Sequence, residues 1–210
     1  MDTPEDRRPL KSRSLGWVQA LARLLVKLRV KPNAISTAGI GFALLAFAVL
    51  FWFQRGGLPA WLALFLAAAC VQLRLLCNMF DGLVAVEGGL KSKGGELFNE
   101  IPDRIEDVLF LAGAGYASGE ITLGWICAVL AVTTAYVRAF GASLGHGQDF
   151  CGPGAKPHRM FCLTVGLIAQ AVALLAGQTW NLLCVALWWI AVLTAATVLR
   201  RTVRLYRKSA

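Results

Sequence analysis

Long hydrophobic runs without charges dominate this chain and predict membrane-spanning helices. Residues 34–53 form one uncharged run, and residues 160–199 form another that is twice as long and is interrupted by only one short polar segment. Because a bilayer span needs about 20 apolar residues, the longer run predicts two helices joined by a tight turn. Shorter runs at 58–73, 108–119 and 121–137 reach this length if each helix continues into its flanking polar segment. The pattern predicts six spans, at approximately 33–54, 58–83, 95–118, 121–143, 159–177 and 180–200.

A different pattern precedes the first span. Leu21, Leu24 and Leu28 recur at helical spacing, opposite Arg23 and Lys27. This amphipathic pattern predicts a helix that lies in the headgroup plane of a membrane, with its cations toward the lipid phosphates. The alternative is a solvated helix that packs on other parts of the protein. Charges within the apolar stretch argue against a cleaved signal sequence.

Composition and charge support an integral membrane protein. Charged residues make up 16% of the chain and hydrophobic residues 57%, whereas a soluble domain carries roughly 25% charged residues. Lysine and arginine cluster before the first span, after the last one, and in the loops at 84–94 and 144–158. Since positive residues mark the cytoplasmic side, both termini are predicted to be cytoplasmic, in the inner membrane if the source is bacterial. Topology and anionic lipid headgroups thus explain the net charge of +9, and no nucleic-acid partner is expected.

A cluster of polar side chains, of kinds that are rare in membrane helices, lies where the second predicted span ends and the third begins. Asn78 and Asp81 are three residues apart, and Asn99 and Asp103 are four apart, so each pair shares one helical face. An ionisable group at such depth costs at least about 2.5 kcal/mol, and it usually faces a cavity or a partner. Two such faces brought together could hold divalent cations through oxygen ligands, an arrangement suited to phosphate chemistry.

The spacing of these residues resembles that of the CDP-alcohol phosphotransferases. Their pattern is D-x-x-D-G-x-x-A-R, then eight residues, then G-x-x-x-D-x-x-x-D, and this chain matches its spacing throughout. The chain resembles a variant branch of that family, with three departures: Asn78, Val86 and Asn99 replace Asp, Arg and Asp. The positions that keep the residue of the pattern are Asp81, Gly82, Ala85, Gly95 and Asp103.

The resemblance implies an activity and a site. A family member of this kind transfers a substituted phosphate group, phosphatidyl or similar, from a CDP-linked lipid donor to an alcohol and releases CMP, in phospholipid biosynthesis. The general base would be Asp103, and Gly82, Ala85 and Gly95 would leave room for the nucleotide. The ligands of Mg²⁺ or Mn²⁺ would be Asn78, Asp81, Asn99 and Asp103.

The resemblance and the hydrophobic pattern together give a domain organisation. An all-α integral membrane protein is expected, with a cytoplasmic N-terminal segment at 1–31 that contains the amphipathic helix. A six-helix transmembrane catalytic domain follows at 32–200, and a basic cytoplasmic tail at 201–210. The family also implies a possible homodimer.

Basic residues near the cytoplasmic ends of the later spans are candidates for binding substrate phosphate. Arg138 lies near the end of the fourth span, and Lys156 and Arg159 open the fifth. Family members use basic residues in these regions to hold the phosphate of the acceptor or the lipid. Arg138 lies deeper and therefore needs an anionic partner, whereas the other two are equally explained by anchoring on the cytoplasmic side. Arg74 has no assigned role, and either snorkels or pairs with Asp107.

Two other functions are compatible with the sequence. The three departures from the family pattern are also expected in a catalytically inactive or weakened relative that binds nucleotide or lipid. The acidic cluster alone would fit a cation or proton carrier, but no polar pathway continues through 108–119. Retention of Asp81 and Asp103 favours the enzyme over the inactive relative.

Overall fold

The chain folds into helices. The computed structural model describes residues 15–52, 56–89 and 95–209, and no strand occurs in these ranges. This confirms the all-α prediction. The helices are α1 (Gly16–Lys27), α2 (Pro32–Trp52), α3 (Ala60–Glu87), α4 (Gly95–Ser118), α5 (Ile121–Ser143), α6 (Lys156–Leu175) and α7 (Leu182–Ser209).

Five of the helices are long and apolar enough to cross a membrane, namely α2, α3, α5, α6 and α7. The third predicted span corresponds to α4, which has 24 residues but carries several charges in its first half. The structure therefore supports an integral membrane protein with five candidate spans. The last predicted span is part of a longer helix, because α7 continues to Ser209.

Helix α4 is nevertheless an integral part of the bundle. The main contacts link six helices into a closed ring in the order α2, α3, α6, α7, α5 and α4, and α4 also touches α7. Because α4 lies between α2 and α5, its charged first half can turn toward other helices. Glu106 and Asp107 are buried there, as expected for ionisable groups that avoid lipid.

Small residues allow the helices of the ring to approach closely. Gly115 of α4 faces Gly124 of α5, and a Cβ built on either glycine would lie 2.7 Å from the Cα of the other. Contacts of this kind are typical of membrane helices, whose association depends on close packing of backbones. Deeper in α4, Phe110, Leu111 and Ala114 are fully buried, so the apolar second half of this helix forms part of the core.

The amphipathic helix packs beside one end of the ring. Val18 and Ala22 of α1 are fully buried in a small cluster that includes Met79 and Val84 of α3. Other apolar side chains of α1 are exposed, among them Trp17, Leu21, Leu24 and Leu28. α1 therefore combines the two predicted arrangements, since one side packs on protein and another presents apolar groups that a membrane interface would cover.

Candidate active site

A cluster of charged side chains lies at one end of the ring. The last turns of α3 and the first half of α4 lie there, together with the start of α6. Lys156 of α6 forms an ion pair with Asp103 of α4. Arg138, near the end of α5, forms another with Glu100 of α4. The two halves of the sequence motif are joined directly, because the side-chain amide of Asn78 donates a hydrogen bond of 2.5 Å to Asp103.

Asp103 is the most heavily contacted carboxylate of this region and is 15% exposed. Its Oδ1 accepts hydrogen bonds from Nδ2 of Asn78 at 2.5 Å and from Nη2 of Arg74 at 3.2 Å. Its Oδ2 accepts one from Nη2 of Arg104 at 3.3 Å and also contacts the ammonium group of Lys156. A carboxylate offers about four lone-pair positions. The four donors therefore occupy the acceptor capacity of Asp103.

Arg74 compensates three carboxylates at once and is completely buried. It lies four residues before Asn78, on the same face of α3. Its Nε donates to Glu106, and its Nη2 lies 3.2 Å from Asp103 and 3.3 Å from Asp107. The pairing with Asp107 that the sequence left open is thus present, and the snorkelling alternative is wrong because no part of the side chain reaches solvent.

The Arg74–Glu106 pair depends on a glycine in α2. A Cβ built on Gly39 would lie 2.6 Å from Oε1 of Glu106, closer than real Cβ contacts allow. This oxygen is buried and has no hydrogen-bond partner among the described residues. The absence of a side chain at position 39 therefore makes the space in which Glu106 turns toward Arg74. Nothing in the sequence pattern predicted this role.

Arg159 of α6 is also buried, and it pairs with Asp107, one helical turn after Asp103 in α4. Its Nη2 donates to Oδ2 of Asp107 at 2.8 Å, and its Nη1 donates to the carbonyl of Gly154 at 2.7 Å and lies 3.3 Å from Oγ1 of Thr134. These contacts fix the start of α6 against α4 and α5. The sequence predicted a phosphate ligand at this position. In the structure the guanidinium instead contacts groups of the protein itself, which hold the start of α6 in place.

Asp81 has a different environment from Asp103 and is also buried. Its Oδ2 accepts a hydrogen bond of 2.8 Å from Oγ of Ser36 in α2, and its Oδ1 accepts one of 2.5 Å from the backbone N–H of Gly82. Two of its acceptor positions therefore have no described donor. Ser36 was not identified from the sequence. Gly82 and Ala85, which the sequence placed near the nucleotide, are half-buried on the last turns of α3.

Arg138 lies at the opening of this region. Its Nη2 lies 2.7 Å from each carboxylate oxygen of Glu100, and its Nη1 donates to Gln148 at 2.8 Å. The guanidinium also lies over the ring of Phe150, 5.2 Å from the ring centre, a cation–π geometry. Arg138 thus has an anionic partner, as expected from its predicted depth in the membrane.

The loop between α5 and α6 is fixed by the last turns of α7. Arg201 is buried and donates to the carbonyl of Cys151 at 2.9 Å and to that of Thr134 at 2.7 Å. The sequence assigned this arginine to a basic tail and missed the contact. Partial burial opposes the charge of Asp149 in this loop. A hydrogen bond from the backbone N–H of Cys151 and the nearby Arg204 outweigh that effect, so the pKa of Asp149 lies below its usual value.

The residues that the sequence proposed as metal ligands lie on the last turns of α3 and in the first half of α4. Among the residues whose side chains are described, no group of three or more His, Cys, Asp and Glu could hold a metal ion. The side chain of Asn99 and the surroundings of Gly95 lie outside the described part. Asp81 retains acceptor positions for a cation, whereas Asp103 would have to release a donor first. The described hydrogen bonds therefore favour a cation at Asp81 over one at Asp103.

Comparison with known proteins identifies relatives along most of the chain. No family model matches it. It is 27% identical over 200 residues to a phosphatidylinositol phosphate synthase of Corynebacterium glutamicum, covering 89% of this chain and 82% of that protein. It is 26% identical over 200 residues to a protein of the same name from Streptomyces avermitilis, covering 90% and 78%. These relatives are members of the CDP-alcohol phosphotransferases.

Solved structures establish the fold. The crystal structure of Mycobacterium tuberculosis phosphatidylinositol phosphate synthase with manganese and citrate matches with a TM-score of 0.72 and 23% identity, over 90% of this chain and 88% of that one. The structure of the same protein with CDP-DAG bound gives a TM-score of 0.71 and 23% identity, over 90% and 93%. The chain therefore has the fold of a phosphatidylinositol phosphate synthase.

Proposed function

We propose that this chain is a membrane enzyme that transfers a phosphatidyl group from a CDP-linked lipid to an alcohol and releases CMP. The observation that carries the proposal is the hydrogen bond of Asn78 to Asp103, because it joins the two halves of the motif at the polar end of the ring. Relatives along about nine-tenths of the chain are phosphatidylinositol phosphate synthases. A protein of the same fold has been crystallised with CDP-DAG.

The reaction needs a base and a means of offsetting charge. The acceptor hydroxyl would attack the phosphorus of the phosphatidyl group, and its oxygen would form the new bond to that phosphorus. The bond from this phosphorus to the oxygen it shares with CMP would break, and CMP would leave with the electron pair. Asp103 would take the hydroxyl proton. A bound Mg²⁺ or Mn²⁺, held by Asp81 with help from Asn78, would offset the charge of the diphosphate.

The base role requires Asp103 to exchange one of its donors. The two donors at Oδ2 are the ones that can move, because Arg104 is 24% exposed and Lys156 is 21% exposed, whereas Arg74 is completely buried. We assign the exchange to Lys156. A substrate phosphate is a natural alternative partner for its ammonium group. Substrate binding would then both engage Lys156 and free Oδ2 of Asp103 to accept the proton.

A phosphorylated alcohol is the acceptor that the site favours. Arg138 is 12% exposed, and its partner Glu100 is 50% exposed. Glu100 can therefore turn to solvent at little cost, and its place beside Arg138 can be taken by a phosphate. The name of the relatives implies an acceptor that carries such a group. We assign phosphate binding to Arg138 and Lys156, and a phosphate contact of Arg159 stays a prediction.

The topology belongs to the same proposal. α4 would be the sixth span, since it closes the ring between α2 and α5. The basic end of the bundle, with both termini, would face the cytoplasm, and the site would open there to soluble substrates. A homodimer, which the family resemblance implies, stays a prediction.

The test is release of CMP by the purified protein. It would be incubated with CDP-diacylglycerol, Mg²⁺ or Mn²⁺, and a panel of alcohols with and without a phosphate group. We expect CMP release with a phosphorylated polyol, and a loss of at least about 100-fold in Asp103→Asn. Glu87→Gln, at the exposed end of α3, is the matched control and should retain activity. CMP release that survives Asp103→Asn would contradict the assignment of the base.

The inactive relative remains the second candidate, and one observation favours it. All four acceptor positions of Asp103 are filled, so the carboxylate is not free to take a proton in this arrangement. This function predicts binding of the CDP-linked lipid without CMP release for any acceptor in the panel. The same incubation, combined with a lipid-binding measurement, separates the two candidates.

A further inference from the structure

We propose that Lys156 takes the place of a second divalent cation at Asp103, so that the site holds one divalent ion and not a bridged pair. This inference rests on the proposed function, because it concerns the cation site of that enzyme. Sites for phosphate chemistry use either one ion or two ions about 3.5–4 Å apart, and a pair shares carboxylates between the ions. Whether this chain can hold a pair therefore depends on the free oxygens of its carboxylates.

The first argument is the charge of the ligand set. Two positions of the motif carry amides, Asn78 and Asn99, so the site has two negative charges fewer than a set of four aspartates. Ligand charge is a main determinant of affinity for hard cations such as Mg²⁺. In addition, the amide of Asn78 donates its N–H to Asp103. Toward Asp103 it is therefore a hydrogen-bond donor, and not a second oxygen around a shared ion.

The second argument is the saturation of Asp103. Arg74 and Asn78 occupy Oδ1, and Arg104 and Lys156 occupy Oδ2. Three of these four donors carry a positive charge. A cation that approached Asp103 would have to displace a donor and would meet the repulsion of the other charges. Lys156 already supplies at Oδ2 the positive charge that a metal ion would supply.

Lys156 is held in this position by the fold. It is the first residue of α6, and the start of that helix is fixed on two sides. Arg159 donates to the carbonyl of Gly154 at 2.7 Å, and the N–H of Gly154 donates to the hydroxyl of Thr197 in α7 at 2.7 Å. Because these contacts fix the backbone on both sides of Lys156, they direct its side chain to Asp103 when no substrate phosphate is bound.

Asp81 provides the contrast. It has only two described donors, Ser36 and the N–H of Gly82, and neither is charged. A cation at its two remaining acceptor positions would displace no described hydrogen-bond donor. The two retained carboxylates of the motif thus differ: Asp81 is open to a metal ion, and Asp103 is neutralised by residues of the chain itself.

The experiment measures how many Mn²⁺ ions the purified full-length protein binds, using Mn²⁺ alone. Equilibrium dialysis gives the number per chain. Electron paramagnetic resonance distinguishes an isolated ion, with six lines, from an exchange-coupled pair. We expect one isolated ion in the wild type and one in Asn78→Asp, which restores a carboxylate but keeps Lys156. We expect a coupled pair only when Lys156→Met is combined with Asn78→Asp.

Two further variants test whether the effect is local. Lys156→Arg with Asn78→Asp keeps a cation at Asp103 and should bind one ion. Lys208→Met with Asn78→Asp removes the same charge from an exposed position near the end of α7 and should also bind one. Two ions in the wild type or in Asn78→Asp alone would overturn the inference. A single ion, or none, in the combination with Lys156→Met would do the same.

Failure of this inference is separable from failure of the proposed function. CMP release would be measured on the same preparations. A wild type that binds two ions and releases CMP would defeat the inference and leave the function. A wild type that binds one ion and releases no CMP with any acceptor would defeat the function and leave the inference.

Discussion

Arg74 and Glu106 form an ion pair in which both side chains are completely buried, and Arg74 extends from this pair to Asp103. The pair joins α3 to α4 within the region where the proposed chemistry takes place. Burying one charge alone would be costly, so each member requires the other. The position of Asp103 therefore depends on a pair of side chains that have no exposure to solvent.

Removal of Arg74 should destabilise the bundle strongly. In Arg74→Met, Glu106 and Asp107 lose a buried counter-charge, and loss of one member of a buried ion pair typically costs about 3–5 kcal/mol. We expect a clear decrease in the free energy of unfolding, measured by titration with a denaturing detergent. Arg200→Met, which removes an exposed arginine of α7, is the matched control and should change little. Equal stability of the two variants would contradict the role of Arg74.

Gly39→Ala should be destabilising because the added methyl group would lie 2.6 Å from Oε1 of Glu106. Overpacking of this kind typically costs about 1–3 kcal/mol. Gly41 offers a matched control two residues along the same helix, because a Cβ built there has no neighbour within 4 Å. We expect a lower thermal midpoint for Gly39→Ala, and an unchanged or higher one for Gly41→Ala because alanine favours helix. A similar response of both variants would mean that Glu106 adapts freely.

The sequence predicted some parts of this structure and not others, for physical reasons. Hydrophobic runs predicted the helices because bilayer thickness fixes span length. Helical spacing predicted that Asn78 and Asp81 share one face and that Asn99 and Asp103 share another, but the direct hydrogen bond of Asn78 to Asp103 was not predicted. Gly39 and Ser36 were missed because their importance depends on neighbours in other helices. Nothing local to either residue marks it.

Arg74 and Arg201 show the same limit for charged residues. Each is an arginine in or beside an apolar segment, and the sequence offers several partners at similar distances along the chain. Arg74 pairs with carboxylates of α4, which is separated from α3 by α2 in the ring, whereas Arg201 binds the backbone carbonyls of Cys151 and Thr134. Only the order of helices in the ring decides between such partners. The chemical roles proposed for the motif residues stay predictions.

Both termini should lie in the cytoplasm. The basic residues of α7 and of the loop before α6 gather at one end of the ring, where Arg201 contacts Cys151, and positive residues mark the cytoplasmic side. A reporter enzyme that is active only outside the cytoplasm should be inactive when fused after Ala210. The same reporter inserted at Gly119, at the turn between α4 and α5, should be active. The opposite pattern would overturn the proposed orientation.

Asp81→Ala should abolish binding of divalent ions. Asp81 is the only motif carboxylate with acceptor positions that the described donors leave open, and its loss removes the charge on which hard-cation affinity depends. Titration of the purified variant with Mn²⁺ should show no saturable binding. Asp149→Ala, which removes a carboxylate from the loop before α6, should bind Mn²⁺ as the wild type does. Undiminished binding in Asp81→Ala would place the ion elsewhere.

Restoring the carboxylates of the family pattern should strengthen binding of Mg²⁺. Asn78→Asp and Asn99→Asp each add one negative charge to the motif, and ligand charge count is a main determinant of affinity for this ion. We expect a lower dissociation constant for each variant, measured by competition of Mg²⁺ against Mn²⁺. Gln148→Glu is the control, because it adds the same charge beside Arg138 at the opening of the site, and it should change the affinity less. If CMP release falls while Mg²⁺ affinity rises, the amides are adapted to the natural substrate and are not a weakness of the site.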